Sequence, residues 1–201
     1  KYLEISLPLK ELCRINSVVL LRVDFPYEGE AQSYRNVART TENTSRPLFS
    51  RDLPFLTFRE KGASPNRRLL FAVAGTHFKS QSSILNDPLS TRLRGEQALG
   101  AAVILKAYDT RFESKVPLFL AGDYNRDLRT AAEFQPIWRL AQMTDVFEMA
   151  PLDRTVPLEK RITETYHPRD GPAIYGQLDS ISGSTAVKDN RLIKEAKILN
   201  Y

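Results

Sequence analysis

Cysteine is all but missing from this chain: Cys13 stands alone among 201 residues. One thiol forms no internal disulfide and leaves no room for a cysteine-based zinc site, and it says nothing about redox compartment. Long apolar runs are missing as well. The longest stretches, Leu69 to Gly75 and Val116 to Gly122, fall far short of the ~20 residues a membrane-spanning helix needs, so no segment is expected to cross a bilayer. Internal repeats and low-complexity tracts are also absent. The chain opens on Lys-Tyr-Leu-Glu-Ile without an initiator Met or a signal-peptide pattern, and the expectation is a fragment or a processed form. Such a start carries no address, and oligomeric state has no signature here either.

What is present fits one globular domain spanning residues 1–201. Apolar residues make up 42% and charged residues 26% of the chain, enough to bury a substantial core and too apolar for disorder. A balance of 29 Lys+Arg against 24 Asp+Glu leaves a formal charge of +5. That excess mildly favours polyanions such as nucleic acid or phospholipid headgroups, and equally suits a surface kept away from zero charge.

Along the chain, Ser17 to Phe25 is rich in Val and Leu and stops before Pro26, which suits a buried strand leading into a loop. Glu28 to Ser45 has no sustained periodicity and reads as a surface excursion. Pro47 and Pro54 punctuate a return to order, and Phe55 to Arg59 alternates as a strand. The polar run Lys61 to Asn66 then predicts a hairpin-like turn into Leu69 to Gly75, whose nearly continuous apolar character predicts cover on both faces.

Ala98, Ala101, Ala102, Leu105, Tyr108 and Phe112 recur at helical spacing between Ser90, a candidate cap, and Phe112. Val116 to Gly122 predicts a second buried strand, Phe134 to Gln142 a second helix, and Leu178 to Ser182 a short strand. Strands alternating with helices place the chain in the α/β class.

Polar residues just beyond a buried strand are the natural place for chemistry, because a rigid sheet holds them while a loop meets substrate. Three such places occur. Gly75-Thr76-His77-Phe78-Lys79-Ser80 offers an imidazole, an ammonium and a hydroxyl, each able to donate to phosphate oxygens. Gly122-Asp123-Tyr124-Asn125 offers a carboxylate and an amide two residues apart, on one side if the backbone stays extended. Gln177-Leu178-Asp179-Ser180-Ile181 sets an acid in an apolar-alternating run, where a buried carboxylate needs a partner. Each alone is also an ordinary turn or a satisfied side chain.

Taken in order, these segments resemble the endonuclease/exonuclease/phosphatase (DNase I-like) superfamily, whose short motifs run Thr-His-x-x-Ser, Gly-Asp-x-Asn and an Ile-Asp-x-Ile-like segment. Arg94 with Gln97-Ala98, Ser45-Arg46-Pro47 and Thr165-Tyr166 add supporting matches, and the likeness covers about Ser17 to Ser184. The resemblance implies an α/β (α+β) four-layer sandwich of two packed, mostly antiparallel β-sheets flanked by helices, incomplete at both termini. It also implies a Mg²⁺-dependent phosphoric ester hydrolase.

By that resemblance Asp123 activates the attacking water, Asn125 holds it or a phosphate oxygen, and both touch a metal. His77 donates to a non-bridging oxygen. Asp179 orients a closing His that does not appear before Tyr201. Arg46, Thr76, Lys79 and Ser80 are the further substrate contacts. Mg²⁺ or Mn²⁺ is the implied cofactor, since hard oxygen ligands dominate.

The chain departs from the pattern as well. Gly75 stands where the family often has Asn. The principal metal-binding Glu has no counterpart unless a shifted register puts Asp24 or Glu28 there, so weak or no metal binding is expected of this chain alone. His167 precedes Asp179 and reads as a loop residue. The substrate stays open among DNA, RNA, nucleotides, phosphoinositides and sphingolipids, with basic charge tilting towards nucleic acid. A noncatalytic nucleic-acid-binding module on the same scaffold is the alternative.

Overall fold

The computed structural model describes residues 2–5, 19–22, 26–37, 47–62, 64, 66–80, 88–166 and 172–198. Its centre is a six-stranded sheet built from β3 (Tyr27–Gln32), β4 (Phe55–Glu60), β5 (Leu69–His77), β6 (Leu118–Asp123), β7 (Thr144–Asp145) and β10 (Asp179–Gly183). The strand order is β3-β4-β5-β6-β10-β7, and every neighbouring pair is antiparallel except β5 with β6. Two smaller ribbons stand outside it, β1 (Tyr2–Ile5) with β2 (Val19–Arg22) and β8 (Glu164–Tyr166) with β9 (Ile174–Gly176). The α/β class and the mostly antiparallel sheet flanked by helices agree with the expectation.

Helix α1 (Pro88–Arg111) joins the parallel pair β5 and β6. A parallel connection needs such a crossover, and the sequence supplies it with small residues at three- and four-residue spacing. Ala98, Ala101, Ala102 and Leu105 are buried against Phe55, Ala72, Ala74, Leu118 and Leu120 of the sheet. Burying those alanines lets the helix approach the strands closely. The helix starts two residues ahead of the expected Ser90 cap, at Pro88, where a missing N–H costs nothing, and Ser90 itself is buried in the first turn.

Three other expectations need correction. Tyr27–Gln32 is a strand, not a surface excursion; it pairs with β4 at the sheet edge, and its exposed Glu and Gln residues hide the pattern because only one neighbour covers it. Leu69 to Gly75 is not covered equally on both faces: Ala72 and Ala74 are buried, while Phe71 and Val73 are half-buried. The second helix is shorter than Phe134 to Gln142, with a tight turn at Ala132–Phe134 and then α2 (Gln135–Arg139). Short helices α3 (Val146–Met149) and α4 (Thr185–Asp189) and single tight turns at Leu152–Arg154 and Leu158–Lys160 complete the described elements. A minor apolar cluster of Phe147, Ala150 and Ala196 lies apart from the main core.

Candidate active site

Strand β5 runs two residues past the apolar stretch, so His77 is its last residue rather than a loop residue. In register, His77 sits beside Asp123 and Asp123 sits beside Asp179. Neighbours along such a row project to one face of the sheet, with strands about 4.8 Å apart. Strand pairing alone therefore gathers an imidazole and two carboxylates contributed by distant parts of the chain. The His77 Nε2 lies 3.3 Å from Asp123 Oδ2, both side chains being about a quarter exposed.

Gly122 makes this row possible. It adopts a φ of 140°, and a Cβ there would lie 2.0 Å from the Thr76 carbonyl oxygen. Only glycine allows β6 to approach β5 so closely at the residue before Asp123.

After Asp123 the chain turns instead of continuing extended. Asn125 has a left-handed φ of 57°, and its backbone N–H donates to Asp123 Oδ1 at 2.6 Å. Its side-chain Nδ2 donates to the Phe78 carbonyl at 2.9 Å. The amide thus ties the two loops of the site together, and the backbone does not stay extended through this pair. Between them Tyr124 is fully buried, packed edge-on against Phe78 and Phe134.

The His-bearing loop is held from below by α1. Buried Gln97 accepts from the Lys79 N–H at 2.7 Å through Oε1, and donates through Nε2 to the Leu48 carbonyl at 3.0 Å. Arg94, 1% exposed, donates to the Lys79 carbonyl at 3.1 Å, to Glu133 at 3.1 Å and to Thr91 at 3.2 Å. These two helix residues, matched in sequence only as a pattern, are the scaffold of the loop.

Arg51 is the site residue that sequence reading missed. Its guanidinium donates to His77 Nε2 and, at 3.2 Å, to Ser80 Oγ. The preceding loop is steered there by Asp52, whose carboxylate accepts from Tyr34 N at 3.0 Å and Ser33 Oγ at 2.8 Å, and by the Gly75 N–H bond to the Pro54 carbonyl at 2.8 Å. No periodicity marks Arg51. Its only signal is position, just ahead of the strand that pairs with the His-bearing one.

Arginine only donates, so the His77 Nε2 it meets serves as an acceptor. The electrostatics agree: burial and the Arg51 charge hold the imidazole below its ordinary pKa, partly opposed by Asp179. Burial pushes the Asp123 carboxyl up, with the Asp179 charge adding to it and the Asn125 hydrogen bonds and Arg51 opposing.

The other expected contacts divide. Ser80 is at the site through Arg51. Thr76 is not: alternation along β5 turns it into the core, 4% exposed. The Lys79 ammonium reaches the Ser80 carbonyl at 3.4 Å. Glu28 pairs with Arg67 at the opposite end of the sheet from His77, which removes it as a stand-in metal ligand. Arg46, Asp24 and His167 lie outside the described residues.

In shape the chain is similar to the human Nocturnin catalytic domain, solved with a bound sulfate anion, with a TM-score of 0.54 at 17% identity over 84% of this chain and 52% of that one. TDP2 from C. elegans gives 0.58 at 13% identity over 91% and 48%. An endonuclease/exonuclease/phosphatase family protein from Bacteroides thetaiotaomicron gives 0.51 at 17% identity over 84% and 55%. The chain has the endonuclease/exonuclease/phosphatase fold. It spans about half the length of these solved chains. No protein-family profile and no curated protein matches the sequence. At these identities the likeness concerns the fold, and chemistry must be argued from the site.

Proposed function

We propose that this chain is part of a phosphoesterase domain that hydrolyses phosphodiesters, nucleic acid foremost, by attack of an activated water. One observation carries the reading: His77, Asp123 and Asp179 share a row on adjacent strands, with the Arg51 guanidinium bound to the imidazole. An arrangement of carboxylates beside a cation suits a reaction that needs a proton acceptor and an anchor for a negative phosphoryl group.

In the proposed step Asp123 Oδ takes a proton from water as the water oxygen bonds to phosphorus. The opposite P–O bond breaks, and the leaving oxygen gains a proton from solvent. A carboxyl raised by burial is a better base than a solvated one. Non-bridging oxygens fall to the remaining Arg51 N–H groups and to Ser80, because His77 Nε2 is already accepting a hydrogen bond. Asn125 fixes the turn that aims Asp123. The sulfate bound to the Nocturnin catalytic domain is in keeping with a tetrahedral oxyanion on this fold.

A divalent cation does not fit the described residues as they stand. Among them no three His, Cys, Asp or Glu side chains group to hold a metal, and Asp123 already accepts from Asn125 while facing His77. The proposed step accordingly uses this chain's own residues, with no role assigned to Mg²⁺ or Mn²⁺. The ungrouped ligands also favour a second reading, a nucleic-acid-binding module without turnover.

Hydrolysis of DNA, RNA, bis-p-nitrophenyl phosphate and lipid phosphoesters by the full-length protein, with and without Mg²⁺, tests both readings. Asp123→Ala should lower kcat at least ~100-fold. Activity untouched by that substitution would discard the mechanism, and salt-sensitive binding without cleavage would select the binding module.

A further inference from the structure

Asp145 is a carboxylate that the proposed step does not use. It ends β7 and caps α3, accepting from the Phe147 N–H at 2.9 Å. Its Oδ2 also accepts from Gln177 Nε2 at 2.5 Å and from Ser180 Oγ at 3.2 Å. Gln177 is 1% exposed and Ser180 7%, so these bonds are made away from water. An acid removed from water costs free energy unless it is well bonded, and replacing such a group by an apolar one is often neutral or stabilising. Burial holds this carboxyl above its ordinary pKa, against the donors of Phe147, Gln177 and Ser180 and the Arg161 charge.

The two side chains that Asp145 grips flank Asp179 in sequence. From the other side, Thr163 Oγ1 accepts from the N–H groups of Leu178 and Asp179, each at 2.9 Å. The segment so held is itself a template. The Leu178 carbonyl accepts from Tyr124 N at 2.8 Å, and the Gln177 carbonyl from Leu128 N at 3.1 Å. The residue directly after Asp123 is thus tied to the residue directly before Asp179.

Burial pushes the Tyr124 phenol well above its ordinary value; the nearby Ser182 hydroxyl opposes this, though without a hydrogen bond of ordinary geometry, and the Asp145 charge adds to it. Ser182 pairs with Asp145 in register. Asp145 thus holds the segment that carries Asp179 through Gln177 and Ser180.

We propose that Asp145 is a positioning residue: through Gln177 and Ser180 it fixes the Gln177–Ser180 segment, and so the placement of Asp179 relative to the Asp123 turn. The consequence for catalysis rests on the phosphoesterase reading; the positioning itself does not.

Native-state amide exchange followed by NMR tests it on the full-length protein. In Asp145→Ala the amides of Tyr124, Leu128, Leu178 and Asp179 should exchange about tenfold or more faster than in the parent, after correction for the change shared by the central β4 and β5 amides. Asp145→Asn, which keeps an acceptor for the Phe147 N–H or Gln177, should restore at least half of that effect on a logarithmic scale. Should Asp145→Ala not fold, Gln177→Met removes the shortest link while leaving the α3 cap, and the same four amides should respond. A uniform acceleration of all amides, or no selective change at those four, overturns the proposal. Exchange needs no turnover, so a protein without phosphodiesterase activity would refute the hydrolytic reading while the exchange pattern still decides this one.

Discussion

On one face of the central sheet Ala72, Ala74, Leu118 and Leu120 are buried with the alanines of α1, while on the other Leu56 and Phe58 of β4 are buried, but Phe71, Val73 and Phe119 are half-buried and Ile181 is 48% exposed. Both faces are made by the same strands, since neighbouring residues alternate sides. The packed face supplies the apolar burial that holds β5 and β6 in place. The less covered face ends in His77, Asp123 and the exposed Asp179, and burial there works against the charged forms of His77 and Asp123. The strands that carry the site are thus held in place by residues lying behind it, on the covered side.

That contrast can be broken most severely at Gly122, the point where the two strands of the site touch. Gly122→Ala places a methyl against the Thr76 carbonyl and should cost about 3–5 kcal/mol of unfolding free energy, measured by urea denaturation. An intact midpoint would show that the close approach is not needed.

Arg94 is the next test, because it belongs to the covered side yet serves the loop beyond His77. Arg94→Met strands the largely buried Glu133 carboxylate, 10% exposed, and the Lys79 carbonyl. A loss of about 3 kcal/mol is expected in the same measurement. Disruption confined to the surface would leave stability within ~0.5 kcal/mol.

The smallest effect has the opposite sign. Asp123 has its pKa raised on folding, so the native state binds more protons than the unfolded chain between the ordinary value and the raised one. Stability linked to this group is therefore present in acid and is lost as pH rises through the raised pKa. Asp123→Asn should raise the melting temperature by about 1–3 °C at pH 7. The gain should shrink on acidification and vanish below the ordinary carboxylate range. A variant less stable than the parent at pH 7 would mean that the charge is compensated in place.

Much of this was legible in advance for a simple reason: burial periodicity is local. The alternation of Phe55 to Arg59, the helical spacing of Ala98 to Phe112 and the apolar run ending at Gly75 each report their own element within a few residues. The edge strand Tyr27–Gln32 was not legible, because a strand with one neighbour and mostly exposed side chains leaves no apolar signature. Within the site, His77, Asp123 and Asp179 could be read from their places at strand ends. Thr76 could not be distinguished from His77, since a one-residue step decides which face a side chain takes and the end of the strand was not marked.

The amino-acid order by itself determined the kinds of element, the chemistry available at the strand ends, and a helix between the two most apolar strands. Tertiary structure alone decided that Arg51 meets His77, that Asn125 bends back onto the Phe78 carbonyl, and that Asp145 stands behind Asp179. Those contacts join residues 26, 47 and up to 35 positions apart. They depend on strand register and loop approach, and neither leaves a periodic trace in the residues concerned.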